Sequence, residues 1–220
     1  MSSVLDTRDQ IASSLDGEPT TEILDLFPRQ GEWTEASFLE AVGHTPRYEF
    51  AWGRVERLPM VTYKHHDIVE FLYLALRDHT QRTGKGRARF ASLRLRLPQG
   101  HYRQPDVMLT ARDRESETQE YPTHAELVME VVSGSSSDRK RDLVEKREDY
   151  AAAGIPEYWI VDPAERTITV LALAGTAYRE AGVYRPGGKA VSVLLEGFEI
   201  DVSACFAAGD GQADEKEPTK

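Results

Sequence analysis

Cysteine is nearly missing from these 220 residues. One thiol, Cys205, excludes an intramolecular disulfide and any zinc site built on several cysteines. That fits a reducing cytoplasm, the location expected. Long apolar runs are missing too: nothing approaches the ~18 apolar residues of a membrane span, and the opening MSSVLDTRDQIASSLDGEPT lacks the basic region and apolar core of a signal peptide. No membrane partner is expected. Basic residues are outnumbered, 27 Lys and Arg against 37 Asp and Glu, and the formal net charge of -10 argues against broad, non-specific attachment to nucleic acid. Neither G-x-S-x-G nor G-x-x-x-x-G-K-[ST] occurs, despite SGSSS at 133–137, so acyl hydrolysis and nucleoside triphosphatase chemistry are disfavoured. His65-His66-Asp67 lacks paired cysteines and a further histidine at ligand spacing, which speaks against zinc.

What remains is a chain with 40% hydrophobic residues, long enough for one sizeable core. A flexible N-terminus over 1–20, a single domain over 21–208 and a disordered polar tail over 209–220 are expected. The most informative stretch is Glu126 to Pro163, ELVMEVVSGSSSDRKRDLVEKREDYAAAGIPEYWIVDP. Leu127 to Val132 suits a strand buried on both faces, yet Glu130 stands in its middle, and buried carboxylates are rarely unpaired. After the turn GSSSD, Asp142 to Ala153 follows a helical pattern closed by Gly154 and Pro156, and Tyr158 to Val161 is a second apolar run. On a projection at about 100° per residue, Leu143, Val144, Arg147, Tyr150 and Ala151 share one arc, with Glu145 and Asp149 near the opposite pole. Lys146 falls at the border beside Tyr150, where its ammonium can reach the strand carrying Glu130. The alternative for Lys146 is an i,i+4 pair with Asp142 on a solvated face.

Elsewhere the pattern predicts a short helix at Thr21 to Phe27, a helix from Glu32 to Val42 capped near Thr34, and a hairpin at Tyr48 to Leu58 turning at Trp52-Gly53. A long helix is expected from His65 to about His79, then strands at Arg89 to Leu97 and Tyr102 to Thr110. Thr167 to Leu173, Ala177 to Glu180 and Val191 to Val202 read as peripheral antiparallel strands, and Ser203 to Ala208 as a short helix. Between His79 and Pro105 lie seven basic residues and no acidic one. Arg87, Arg89, Arg94, Arg96 and Arg103 of this strip are candidates to meet a phosphate backbone. Alternatively, Arg94 and Arg96 alternate with Leu93, Leu95 and Leu97 because one strand face is wet.

The ordered segments RYEFAWGRVERLPM, HHDIVEFLYLAL, RQPDVML, LVMEVVS, RDLVEKREDYAAAGIPEYWIVDP and LLEGFEIDV span roughly Arg47 to Val202. Together they resemble the Uma-two family of restriction-endonuclease-like proteins, within the PD-(D/E)XK nuclease superfamily. The resemblance implies an α/β, restriction endonuclease-like fold: a mixed central sheet flanked by helices, with a β-rich C-terminal extension. It implies a metal-dependent endonuclease with DNA as partner and Mg²⁺ or Mn²⁺ as cofactor. Asp106 and Glu130 would be catalytic metal ligands and Lys146 the catalytic lysine, moved to the helix because Val132 stands where the superfamily's simplest form has it. His65 matches the family's histidine. Independently, two carboxylates on adjacent strands form the oxygen site that Mg²⁺ prefers, with the Val131 carbonyl a candidate third ligand. Glu56, Asp142 and Tyr150 are accessory candidates, with Glu49 among the weaker ones. The rival reading is a non-catalytic binding or regulatory module on a nuclease fold, acting through a homodimer or another protein partner.

Overall fold

Apolar side chains at consecutive rather than alternate positions make Leu127–Val131 (β7) and Glu157–Asp162 (β8) strands buried on both faces. They pair in parallel at the centre of a six-stranded sheet, and every other pairing in that sheet is antiparallel. This computed structural model describes residues 27–43, 45, 47–112, 120–133 and 139–211. The expected loose N-terminus, most of the short helix at Thr21 to Phe27, the turn at 134–138 and residues 212–220 lie outside them.

The described chain begins with helix α1 (Glu35–Val42), whose N-cap is Thr34 in a reciprocal arrangement with Ser37. The hairpin β1 (Tyr48–Ala51) and β2 (Arg54–Arg57) comes next, and then α2 (Tyr63–Thr83), capped by the Thr62 side chain and ended by left-handed Gly84. Beyond it lie β3 (Arg87–Phe90), β4 (Leu95–Arg96), β5 (Tyr102–Arg103) and β6 (Val107–Thr110). After β7, a π-helical turn, Arg141–Glu145, runs into α3 (Lys146–Ala152), which leads to β8. The chain closes with β9 (Thr167–Ala174), β10 (Ala177–Tyr184), β11 (Lys189–Val191), β12 (Glu199–Asp201) and α4 (Val202–Gly209). The large sheet runs β10-β9-β8-β7-β6-β3, a four-stranded sheet runs β2-β1-β5-β4, and β11 pairs with β12. The mixed sheet and β-rich C-terminal part match the expected class.

Two layers of core arise from strand alternation. Leu127, Met129, Val131, Trp159 and Val161 pack toward Ile68, Leu72 and Leu76 of α2 and Cys205 and Phe206 of α4. Val128, Val132, Tyr158 and Ile160 pack on the other face against Tyr150 and Ala151 of α3. Glu130 shares that second face by its register, which aims a carboxylate at α3.

Two expected strands are each split between the sheets. Arg89 to Leu97 divides into β3 and β4, where the chain leaves the large sheet over 91–94, and Tyr102 to Thr110 divides into β5 and β6, where it returns at Gln104 to Asp106. Pro105 has no N–H to continue a ladder, so the crossing falls there. Val191 to Val202 is likewise a hairpin around Gly197, at φ 73°, rather than one strand. Asp210, grouped by composition with the polar tail, pairs with Lys64 at 2.7 Å and Arg166 at 2.8 Å.

His79, buried against Phe198, has no hydrogen-bond partner on either ring nitrogen among the described residues. Burial, and then Arg82 and Lys85, hold its pKa below the ordinary value. A depressed histidine contributes stability that is complete above its unfolded pKa and is lost as pH falls below about 6.5. His79→Leu is therefore expected to melt higher than the parent, by a margin that widens between about pH 6.5 and 5. A constant margin in melts across that range would show that His79 titrates alike in the folded and unfolded states.

Candidate functional site

The crossing between sheets, the end of β7 and the start of α3 meet around a cavity of about 50 Å³ whose lining includes His65, Asp106, Glu130, Val131, Asp142 and Lys146. Asp106 comes directly after Pro105, where the chain enters the large sheet. Its Oδ2 accepts the Val131 N–H at 2.8 Å, which locks the carboxylate beside the end of β7. Its Oδ1 lies 3.2 Å from His65 Nε2, delivered by the first turn of α2. Glu130 meets α3 with both oxygens: Oε1 accepts from the Tyr150 hydroxyl at 2.7 Å, and Oε2 lies 2.9 Å from Lys146 Nζ. Lys146 and Tyr150 are one turn apart, so one helix face serves the whole carboxylate.

The π turn sets which face that is. The Lys146 N–H bonds to the Arg141 carbonyl, one residue farther back than in an α-helix, which shifts the phase of α3. Asp142 then also reaches Lys146, at 3.3 Å, so the pair foreseen on a solvated surface exists, but with Lys146 3% exposed. The shift corrects the expected amphipathic arc. Val144 is 47% exposed, whereas Asp149, placed at the solvent pole, is fully buried because the four-stranded sheet covers that flank.

Glu49 of β1 is the member of this cluster that sequence reasoning undervalued. Fully buried, it lies 3.4 Å from Lys146, accepts the Gln104 N–H at 2.9 Å and pairs with Arg103 at 3.0 Å. Its signal was the one used for Glu130: an acid inside an apolar strand, here between Tyr48 and Phe50. Glu56, opposite Glu49 in the hairpin, stands farther out, 3.9 Å from Arg141.

Carboxyl groups outnumber the basic groups directly around Lys146. Asp106, Glu130, Asp142 and Glu49 surround Lys146 and Arg141. Burial first, then the neighbouring carboxylates, push the Glu130 pKa up to about 8 despite Lys146. Burial likewise raises Asp142, against the pull of Lys146 and Arg141, and its buried Oδ1 accepts no hydrogen bond among the described residues. Glu49 goes the other way: burial would raise it, but Lys146, Arg103 and Arg141 bring it to about 2. Burial opposes the charge on Lys146, yet Glu130, Glu49 and Asp142 outweigh it and keep the ammonium protonated. His65 is also raised, its Asp106 bond and the nearby acids overcoming burial. A surplus of buried acid beside a small cavity is the donor chemistry of a hard divalent cation. Asp106 and Glu130 bring carboxylate oxygens, and Val131 its backbone, to the wall of that cavity.

The basic strip fares differently. Arg103, 2% exposed, pairs with Glu49 and, at 2.6 Å, with Asp149, which also lies 3.2 Å from His101. Arg94 is buried and donates to the Gly43 and Thr45 carbonyls, with its guanidinium over Phe38. Neither is presented to a phosphate, which corrects the expectation for both. Arg96 is bound to Glu35 at 2.6 Å, while Arg87 and Arg89 lie along the outer strand β3. Arg103→Met should strand Glu49 and Asp149 and cost about 3–5 kcal/mol, the usual penalty for breaking a buried pair. An unchanged urea midpoint would refute that role.

A family model described as "Uma2: Putative restriction endonuclease" matches residues 33–203. The fold is similar to the crystal structure of a "putative nuclease belonging to DUF820" from Anabaena variabilis, with a TM-score of 0.65 and 19% identity, covering 80% of this chain and 98% of that one. At that identity the likeness shows the fold. Among curated proteins no match is found. Because the family match takes in Glu49, Asp106, Glu130 and Lys146 together with most of the chain, the protein belongs to the Uma2 family of restriction-endonuclease-like proteins.

Proposed function

We propose that this protein is a divalent-metal-dependent endonuclease that hydrolyses DNA phosphodiester bonds. Asp106, Glu130 and the Val131 carbonyl would hold Mg²⁺ or Mn²⁺, with Lys146 as the catalytic lysine. The observation that carries the reading is the buried Lys146 ammonium, 2.9 Å from Glu130, lining the same small cavity as Asp106. A bound divalent cation would supply Lewis-acid charge compensation and a more acidic water. Lys146, kept protonated by three carboxylates, offers a fixed positive charge to the phosphoryl oxygens as their charge develops. Tyr150 holds the second oxygen of Glu130 and so orients that carboxylate. His65, 3.2 Å from Asp106, helps to orient that carboxylate.

The second reading, a non-catalytic module, draws support from the net charge of -10 and from the internal use of Arg94 and Arg103. Incubating purified protein with plasmid and single-stranded DNA in Mg²⁺, Mn²⁺ or chelator separates the two. Cleavage dependent on a cation is expected. Absence of cleavage with either cation, or cleavage that persists in chelator, overturns the proposal.

A further inference from the structure

Beside the small cavity opens a larger groove of about 590 Å³, sharing His65 and Asp106 with it and walled by α2, the end of β3 and the segment after β2. Its wall is unusual for a surface. Phe90 is 51% exposed, Val61 57% and Leu74 41%, and the Phe90 ring lies 4.5 Å from that of Tyr73. Arg77 sits 5.7 Å from the Tyr73 centroid, and Arg47 donates to the Leu58 carbonyl and Met60 sulfur. Neither arginine forms an ion pair among the described residues. The opposing charge on the lining, apart from Asp106, is Glu70.

Aromatic faces, guanidinium groups outside any such ion pair and the metal-site carboxylate thus share one continuous groove. A DNA duplex hides its base faces and presents phosphates, so it gains little from an apolar wall. An unpaired strand presents both: bases that stack on aromatic rings and phosphates that meet arginines. The volume lies in the range of small-ligand pockets, about 300–1,000 Å³, which suits on the order of one or two nucleotides.

We infer that this groove binds unpaired DNA, with a base stacked on Phe90 and Tyr73 and its phosphates led past Arg77 and Arg47 toward Asp106. The substrate class is then single-stranded DNA, or the unpaired portion of a flap or frayed end. The direction of the strand rests on the nuclease reading; the stacking does not.

Binding in chelator keeps the two separable. The intact protein is titrated into a fluorescein-labelled single-stranded oligonucleotide and into the same sequence as a blunt duplex, with anisotropy as readout. A 2-aminopurine single strand reports stacking through quenching. The single strand is expected to bind about ten-fold tighter than the duplex, with quenching. Phe90→Ala should weaken single-strand binding about five-fold or more and abolish the quenching, as loss of one stacked base does. Phe90→Trp should retain both, and since Phe90 is half exposed both variants should fold. Equal binding of the two forms, no binding of either, or unaltered quenching in Phe90→Ala overturns the inference. Stacking without cation-dependent cleavage would sink the nuclease reading alone, and cation-dependent cleavage without stacking would sink this inference alone.

Discussion

Replacing Lys146 by alanine is expected to remove DNA cleavage and to destabilise the protein in chelator at neutral pH. Both effects come from one geometry. The ammonium lies 2.9 Å from Glu130, 3.3 Å from Asp142 and 3.4 Å from Glu49, at 3% exposure. Its loss leaves the buried Glu49 and Asp142 carboxylates without their shared cation, a change that typically costs about 3–5 kcal/mol. The same charge, under the proposed function, stabilises the transferring phosphoryl group, and losing such a group commonly slows turnover by about 10²-fold or more. The two effects are separable because Mn²⁺ restores positive charge but not the lysine. Thermal melts of Lys146→Ala should therefore recover in part with Mn²⁺ while cleavage stays lost. A variant that cuts like its parent would return Lys146 to a purely structural place.

The Glu130→Gln variant is expected to move stability the opposite way. Glu130 binds its proton more tightly folded, with a pKa near 8, than unfolded, with one near 4.5. Between those values the native state carries the extra proton, so the parent loses stability as pH rises through that window. Glutamine cannot lose that proton. In chelator the variant should match the parent near pH 4.5 and melt above it at pH 8.5, by about 1–3 kcal/mol once the altered contact with Lys146 is discounted. With Mn²⁺ the order should reverse: the parent gains stability, more at pH 8.5 than at pH 6 because the ion must displace a proton, while the variant gains little and does not cleave. A Glu130→Gln protein that melts well below its parent in chelator at pH 8.5 would mark Glu130 as a structural acid.

Family membership, the mixed fold and the central strands were legible in the chain because their signals are local. An apolar run identifies Leu127–Val131 without knowledge of its neighbours, Thr34 caps its helix through a residue three positions on, and Gly154 with Pro156 ends another. Glu130 was conspicuous for the same reason, as a charge inside an apolar strand. The sharing of charge among side chains remote in sequence was beyond local reading. Glu49 joins the cluster only because β1 and β5 place it against Lys146, and Arg103 leaves the basic strip only because Glu49 and Asp149 take it inward. The π turn before α3 brings Asp142 and Lys146 inward together, and no periodicity foretells it. Tertiary structure decided these points because electrostatic interactions depend on distance and burial, which arise when separate elements meet, whereas helix and strand signals are written within a few residues of chain.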